Sequence, residues 1–399
     1  MVLAYTKTMF KPAERIAQIK PYFFADLGKR IAAMKAKGAD VIRMDIGSPD
    51  LPPPGFILET MFESASRSDT HGYTLGQTQG FRKAIATYYK NRFGVELDPK
   101  SEAIDLIGSK EGLFALSQVL LNPGDLALVP DPSYAVYAMG AQIAGADVYA
   151  MPLLAKNAFL PDLDEIPPAA LKRAKILWLN YPNNPTGAIA DLAFFQRAVN
   201  FARENNLLIA HDNPYSDVGF NGYRAPSLLQ IPGAKDVAIE FNSMSKTYNM
   251  AGWRVGMVVG NPDVVKFIET YKSQQDSAIF APLLAAAEAA MLGDQSWLNE
   301  RNRVYQARRD AVIDVLYAAG LRVEKPQAAL YIWAPIPGNE GSMDFCAEML
   351  EDTAVSTTPG VVFGKHGEGY FRISLVGDVG RLRQGAGRIS DWMHKRGSI

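Results

Sequence analysis

The chain has 399 residues, 48% of them hydrophobic, which is enough for a large buried core and for two or three domains. Its 41 Lys and Arg against 42 Asp and Glu leave a formal charge of −1, so no bulk field points to nucleic acid or an anionic membrane, and a small substrate is the default partner. The single cysteine, Cys346, excludes a disulfide within the chain and sits in a helix-like run where a thiol behaves as a small core hydrophobe. The first twenty residues lack the apolar stretch of a secretory signal, and cytoplasm is the expected compartment.

Residues 1–55 are rich in Pro and aromatics (KPYFF, SPDLPPPGF) and are expected to form an arm joined to a small domain. From residue 56 to about 295, helix-like stretches alternate with short β-rich runs closed by Gly, Pro, Asn or Asp, which predicts an α/β domain with a mainly parallel sheet. Its strands are AIDLIG, DLALVP, ADVYAMP, KILWLN, LLIAHD, VAIEFN and VGMVVG. The interleaved helices, such as KEGLFALSQVLL and LAFFQRAVNFARENN, place apolar residues at three and four spacing. AIFAPLLAAAEAAML carries Glu288 and is too short for a membrane span, so it is predicted as a buried helix. A long charged helix (WLNERNRVYQARRDAVIDVLYAAG) opens residues 296–399, where strands LRVEKP, ALYIWAP and YFRISLV predict a smaller α+β domain.

The segment SMSKTYNMAGWRVG sets Lys246 after a predicted strand, with Ser243, Ser245 and Arg254 nearby. Most lysines are solvated surface amines. Two hydroxyls and a guanidinium suited to one phosphate, around an amine in an apolar stretch, instead favour an imine-forming lysine whose pKa is depressed by burial or by the Arg254 charge. Here the chain resembles the fold type I class I/II aminotransferases, whose signature Ser-x-Ser-Lys followed by Gly-x-Arg is matched at Ser243, Ser245, Lys246, Gly252 and Arg254.

The resemblance implies a pyridoxal 5'-phosphate (PLP) enzyme with Lys246 holding the cofactor as a Schiff base, a large seven-stranded sheet domain, and a small domain built from both chain ends. It assigns Asp212 to the pyridinium nitrogen, Tyr215 and Asn184 to the 3'-oxygen, Tyr134 to the pyridine face, and Ser109 with Lys110 to the phosphate cup. A phosphate is favoured where Gly108 and Ser109 open a helix, since unpaired N–H groups gather there. Taken singly, each has a plainer reading: Asp212 and Ser109 as caps, Asn184 in a Pro/Gly turn, Tyr134 as core packing.

Tyr73 matches the tyrosine that reaches a partner's cofactor phosphate, which implies a homodimer with shared sites. Arg372, otherwise readable as an outward charge on an edge strand, matches the arginine that grips the substrate α-carboxylate, and the backbone N–H of Gly47 faces the same group. With both outside the sheet domain, the site is expected between domains that close on substrate. ETYKSQQDSAIF offers Lys272, Gln274 and Gln275 but no arginine for a distal carboxylate.

Over nearly its whole length the chain is similar to the LL-diaminopimelate and alanine aminotransferase branch. This implies ping-pong transfer to a 2-oxo acid such as 2-oxoglutarate, with LL-2,6-diaminopimelate first, alanine, another neutral amino acid or aspartate behind it, and a β-lyase as the alternative chemistry. A DNA-binding regulator on this fold would need an added N-terminal domain and a basic footprint, and a nicotinamide enzyme would need G-x-G-x-x-G after a strand.

Overall fold

The computed structural model describes residues 10–17, 19, 23–74 and 78–399. A short strand near the N-terminus, β1 (Ile42–Arg43), precedes the strands of the large sheet: β2 (Ala103–Leu106), β3 (Leu126–Asp131), β4 (Asp147–Pro152), β5 (Ala174–Leu179), β6 (Leu208–Asp212), β7 (Ala238–Ser243) and β8 (Gly256–Gly260). The sheet runs in the order β2-β8-β7-β6-β5-β3-β4. β8 alone is antiparallel to its neighbours. Every residue of β2, β3, β7 and β8 is buried, the mark of a sheet covered by helices on both faces.

The antiparallel setting of β8 decides which loops meet. Gly256 pairs with both Leu106 and Ser243, so the start of β8 lies at the same edge of the sheet as the ends of β2 and β7. Residues just before β8 therefore meet residues just after β2 and β7.

The chain ends build a second unit. β9 (Tyr331–Pro335), β10 (Val355–Ser356), β11 (Thr358–Pro359) and β12 (Tyr370–Ser374) follow the 22-residue helix Trp297–Ala318. β12 lies between β11 and β9, and β10 pairs with β1 in parallel. Ile42 and Met44 enter the core of this unit with Phe345, Met349, Phe371 and Ile373. Tyr215, Val218 and Phe220, although they follow β6 of the large sheet, pack into the same core.

Three readings from sequence are corrected or sharpened. LRVEKP is not a strand: apart from one isolated bridge between Gly219 and Ala328, the stretch after the long helix makes no ladder, and Pro326 has no N–H to give one. Arg372 is on the central strand of its sheet and 3% exposed, so it is no edge charge. The long helix is charged but not merely solvated, since Arg301, Arg308 and Arg309 point inward and are buried. Cys346 lies buried in helix Ser342–Thr353, its thiol pushed up to about 12 by burial, as an inert core residue should be. The apolar run near residue 280 forms the helix Ala281–Leu292, and no described helix is long and apolar enough to cross a membrane.

Candidate active site

Parallel strands leave their carboxyl ends on one side, and the loops after them converge there. A cavity of about 570 Å³ opens at this edge, lined by Gly47, Ser109, Lys110, Tyr134, Asn184, Asp212, Tyr215, Ser243, Ser245, Lys246, Arg254 and Arg372. Of the residues expected from sequence only Tyr73 is elsewhere, 78% exposed on the surface.

Asp212 closes β6 and is buried. Its Oδ2 accepts from the Tyr137 hydroxyl at 2.6 Å, while its Oδ1 is buried without a partner. This is not a cap. Burial pushes its pKa up to about 6, against the pull of the Tyr137 hydrogen bond and of its neighbours His211 and Lys246. An orphaned carboxylate oxygen facing a cavity calls for a donor, and a protonated ring nitrogen is one.

Lys246 stands in the four-residue turn Met244–Thr247 after β7, and Ser243 caps that turn by accepting from Ser245 N at 3.2 Å. The Lys246 amine donates to Gly47 O. Burial lowers its pKa, with the Arg372 and Arg254 charges adding to the effect and Tyr331 and Asp212 opposing it. A neutral amine is the form that attacks a carbonyl.

Arg254 sits just before β8 with φ of 57°, so the register of β8 carries it to the other strand ends. Its Nη1 donates to Ala251 O at 2.9 Å and reaches Ser245 Oγ at 3.4 Å. The guanidinium lies over Gly108, where a Cβ would collide with it. Gly108, with φ of 73°, is the N-cap of helix Ser109–Leu120, and no side chain caps this helix. Ser109 therefore leaves its N-terminal amides uncapped beside a guanidinium, a cradle for a phosphate.

Above this floor, Arg372 Nη1 donates to Asn184 Oδ1 at 2.8 Å and Nη2 to Asp45 O at 2.9 Å. Its guanidinium packs 4.2 Å over the Tyr331 ring and 4.7 Å over Phe363. Tyr215 exchanges a hydrogen bond with Tyr331 at 2.9 Å, and burial drives its pKa up. A Cβ on Gly47 would come within 2.7 Å of the Tyr331 hydroxyl, so only glycine lets the segment 45–47 approach. Tyr134 is half-buried, edge-on to Tyr137 and 5.9 Å from the Lys110 amine.

Several residues that line the cavity escape a reading from sequence. Tyr137 lies one helical turn beyond Tyr134 in PSYAVY, a spacing that brings both to one face. Asn180 ends KILWLN; it donates to Asp212 O at 2.7 Å and accepts from Asn184 N at 2.9 Å, tying two strand ends together. Tyr331 opens ALYIWAP, and nothing local distinguishes it from a core tyrosine. Arg43 and Asp45 form a bidentate pair, both contacts 2.6 Å, on the face of the first strand segment opposite Ile42 and Met44. The alternation in VIRMDIG is the available signal. Lys272, by contrast, is held by Glu111 at 3.2 Å and Asp276 at 2.8 Å, outside the cavity lining.

The described residues thus fit PLP: an orphaned acid for the ring nitrogen, a buried amine of lowered pKa, and an amide-and-guanidinium cradle for the phosphate. Comparisons agree with this geometry. The family described as aminotransferase class I and II matches residues 39–389. An LL-diaminopimelate aminotransferase of Dehalococcoides mccartyi is 46% identical over 385 residues, 96% of this chain and 99% of the relative. A substrate-bound BacF structure from Bacillus subtilis superposes with a TM-score of 0.92 at 37% identity, covering 96% of this chain and 98% of that one. A probable N-succinyldiaminopimelate aminotransferase from Thermus thermophilus gives a TM-score of 0.88 at 36% identity, covering 92% and 99%. The chain belongs to the class I and II aminotransferases, and it is a PLP-dependent transaminase of fold type I.

Proposed function

We propose that the chain transfers an amino group from LL-2,6-diaminopimelate to 2-oxoglutarate, with Lys246 as the cofactor lysine and general base and Arg372 as the carboxylate fork. The observation that carries this reading is that one short backbone segment meets both groups: Lys246 donates to Gly47 O and Arg372 to Asp45 O. An amino acid held by its carboxylate at Arg372 presents Cα toward the lysine.

When bound, PLP supplies an aldehyde that takes up the amino group and a ring that receives the electrons of the Cα–H bond. Asp212 would keep the proton on the ring nitrogen, and Asn184 with Tyr215 would donate to the 3'-oxygen. Ser109, Lys110, Ser243, Ser245 and Arg254 would hold the phosphate, and Tyr134 would cover the ring face. Lys246 would take the proton from Cα of the substrate as general base, which needs the neutral amine that burial favours.

The substrate reading draws on the names of relatives 46% identical over nearly the whole chain. Assay of the purified enzyme with 2-oxoglutarate and either LL-diaminopimelate or alanine decides: keto product from alanine and none from LL-diaminopimelate would replace the first substrate by the second.

We further take the working unit to be a cytoplasmic homodimer in which Tyr73 reaches the partner's phosphate. Supporting this, Tyr73 is an exposed aromatic next to Thr74, whose hydroxyl donates to Ile279 O, beside the 44% exposed Phe280. A monomer by light scattering would refute it. Residues 1–55 and 296–399 are read as the part that closes over 56–295, and unchanged small-angle scattering with and without an amino acid would refute that closure.

A further inference from the structure

Among the inward arginines of the long helix, Arg301 is the one that touches the segment carrying Lys246. It is 3% exposed; its guanidinium lies 5.5 Å over the Trp297 ring and its hydrogen bonds go to amide oxygens and Asn302. Nη1 donates to Lys246 O at 2.9 Å and to Thr247 O, and Nη2 donates to Asp217 O at 2.5 Å. Asn302 Oδ1 accepts from the same guanidinium at 2.8 Å, and Asn302 Nδ2 donates to Asp217 O at 2.9 Å. Among the described residues Arg301 forms no ion pair. A buried guanidinium is costly unless its donors are well placed, and here three of the acceptors are main-chain carbonyls.

Those carbonyls belong to two different loops. Lys246 and Thr247 end a four-residue helix, whose last carbonyls have no partner within it. Asp217 lies two residues beyond Tyr215. Its carboxylate is anchored from the other side by the Tyr88 hydroxyl at 2.5 Å and Arg92 Nε at 2.6 Å. Asp217 is thus fixed to helix Gln79–Phe93, and the guanidinium ties the main chain of Lys246 to that fixed point. The charge state of Lys246 itself is set by burial and by Tyr331, Arg372, Arg254 and Asp212.

We propose that Arg301 is a positioning residue for Lys246: by spanning the carbonyls of Lys246, Thr247 and Asp217 it fixes the lysine main chain against the loop that carries Tyr215, and so fixes the approach of the amine to its carbonyl. The role is geometric and depends on a planar fork with two arms. A lysine at 301 would keep the positive charge and lose the span. The inference rests on Lys246 as the cofactor lysine.

Capture of added PLP by cofactor-free protein, followed by absorbance, reads this directly: one C=N bond forms, one water leaves, and nothing is oxidised. Arg301→Lys should slow capture by about 10-fold or more and lower kcat by about 10- to 100-fold, with KM for the amino donor within about 2-fold of the parent. Asn302→Leu, which frees the guanidinium from its own helix, should slow capture by about 3-fold and serves if Arg301→Lys does not fold. Parental capture rate and kcat in a folded Arg301→Lys protein, or in Asn302→Leu where only that variant folds, would overturn the inference, even with a lowered Tm. Lys246→Ala is the separate control: covalent capture persisting there would overturn the assignment of Lys246, whatever Arg301 does.

Discussion

At the floor of the cavity the side chains hang from the ends of β6 and β7 and from the turn before β8, all strands of one sheet, whereas the wall is assembled across the chain. Arg372 reaches Asp45 over 327 residues, and Tyr331 reaches Gly47 over 284. The two surfaces also differ in what they leave open. The floor keeps a buried Asp212 Oδ1 without a partner and a helix N-terminus without a cap. The wall has largely satisfied itself: both terminal nitrogens of Arg372 are already engaged, and only its Nε is unpartnered. The floor is preorganised for a resident group, while the wall's Arg372 is engaged by Asn184 of the floor. In the proposed role of Arg372, a substrate carboxylate must compete with Asn184 for its guanidinium.

The largest expected effect is at the floor. Asp212→Asn should lower kcat by roughly 10²- to 10³-fold, as loss of a preorganised electrostatic partner does. The cofactor-free protein should move the other way. Because the folded carboxyl titrates near 6 and the unfolded one at 3.8, the unfolded state gives up its proton first as pH rises, and wild-type stability falls between those values. Above about pH 6 the deficit is constant, at most about 3 kcal/mol for a shift of about two units. Asp212→Asn should therefore unfold like the parent at pH 3.5 and be more stable at pH 8; denaturation curves showing no gain at pH 8 would remove the claim that burial is the dominant influence on Asp212.

At the wall, Arg372→Lys should raise KM for the amino donor by roughly 10- to 100-fold, because a single ammonium cannot reproduce a bidentate fork. Cofactor capture by the floor should stay within about 2-fold, since the substitution lies outside the strand ends proposed to hold the cofactor. Equal losses in both measurements would show that the Arg372–Asn184 hydrogen bond couples wall to floor, and that the contrast between them is wrong.

The same contrast decides which residues are legible in the sequence. Floor residues follow strands whose apolar runs end in Gly, Asn or Asp, so Asn184, Asp212, Ser243 and Lys246 are flagged by local patterning and by their order in the chain. Wall residues are brought in by pairing at long range. Tyr331 looks like any strand tyrosine until β9 pairs with β12 and sets its ring under Arg372. LRVEKP misleads because alternation alone does not supply a neighbouring strand to pair with. Arg301 is hidden for a related reason: in WLNERNRVYQARRD it is one charge among many, and only the fold shows which of them points at the carbonyls of Lys246.

The smallest effect tests how the floor keeps its acid ionised. The Tyr137 ring stacks on Trp178 with centroids 4.7 Å apart and planes 18° from parallel, so Tyr137→Phe keeps the packing and removes one hydroxyl. That hydroxyl is the donor seen at Asp212 Oδ2, and its hydrogen bond pulls the Asp212 pKa down from where burial alone would hold it. Without it the midpoint should climb above about 6, leaving more of the carboxyl protonated near pH 6.5 and little more at pH 8.5. PLP affinity of the cofactor-free variant should then fall about 5- to 10-fold at pH 6.5 and about 2-fold at pH 8.5, read by absorbance titration. A loss of the same size at both pH values would mean that the hydroxyl orients Asp212 without governing its charge. The pull that keeps Asp212 ionised against burial would then come from its neighbours Lys246 and His211.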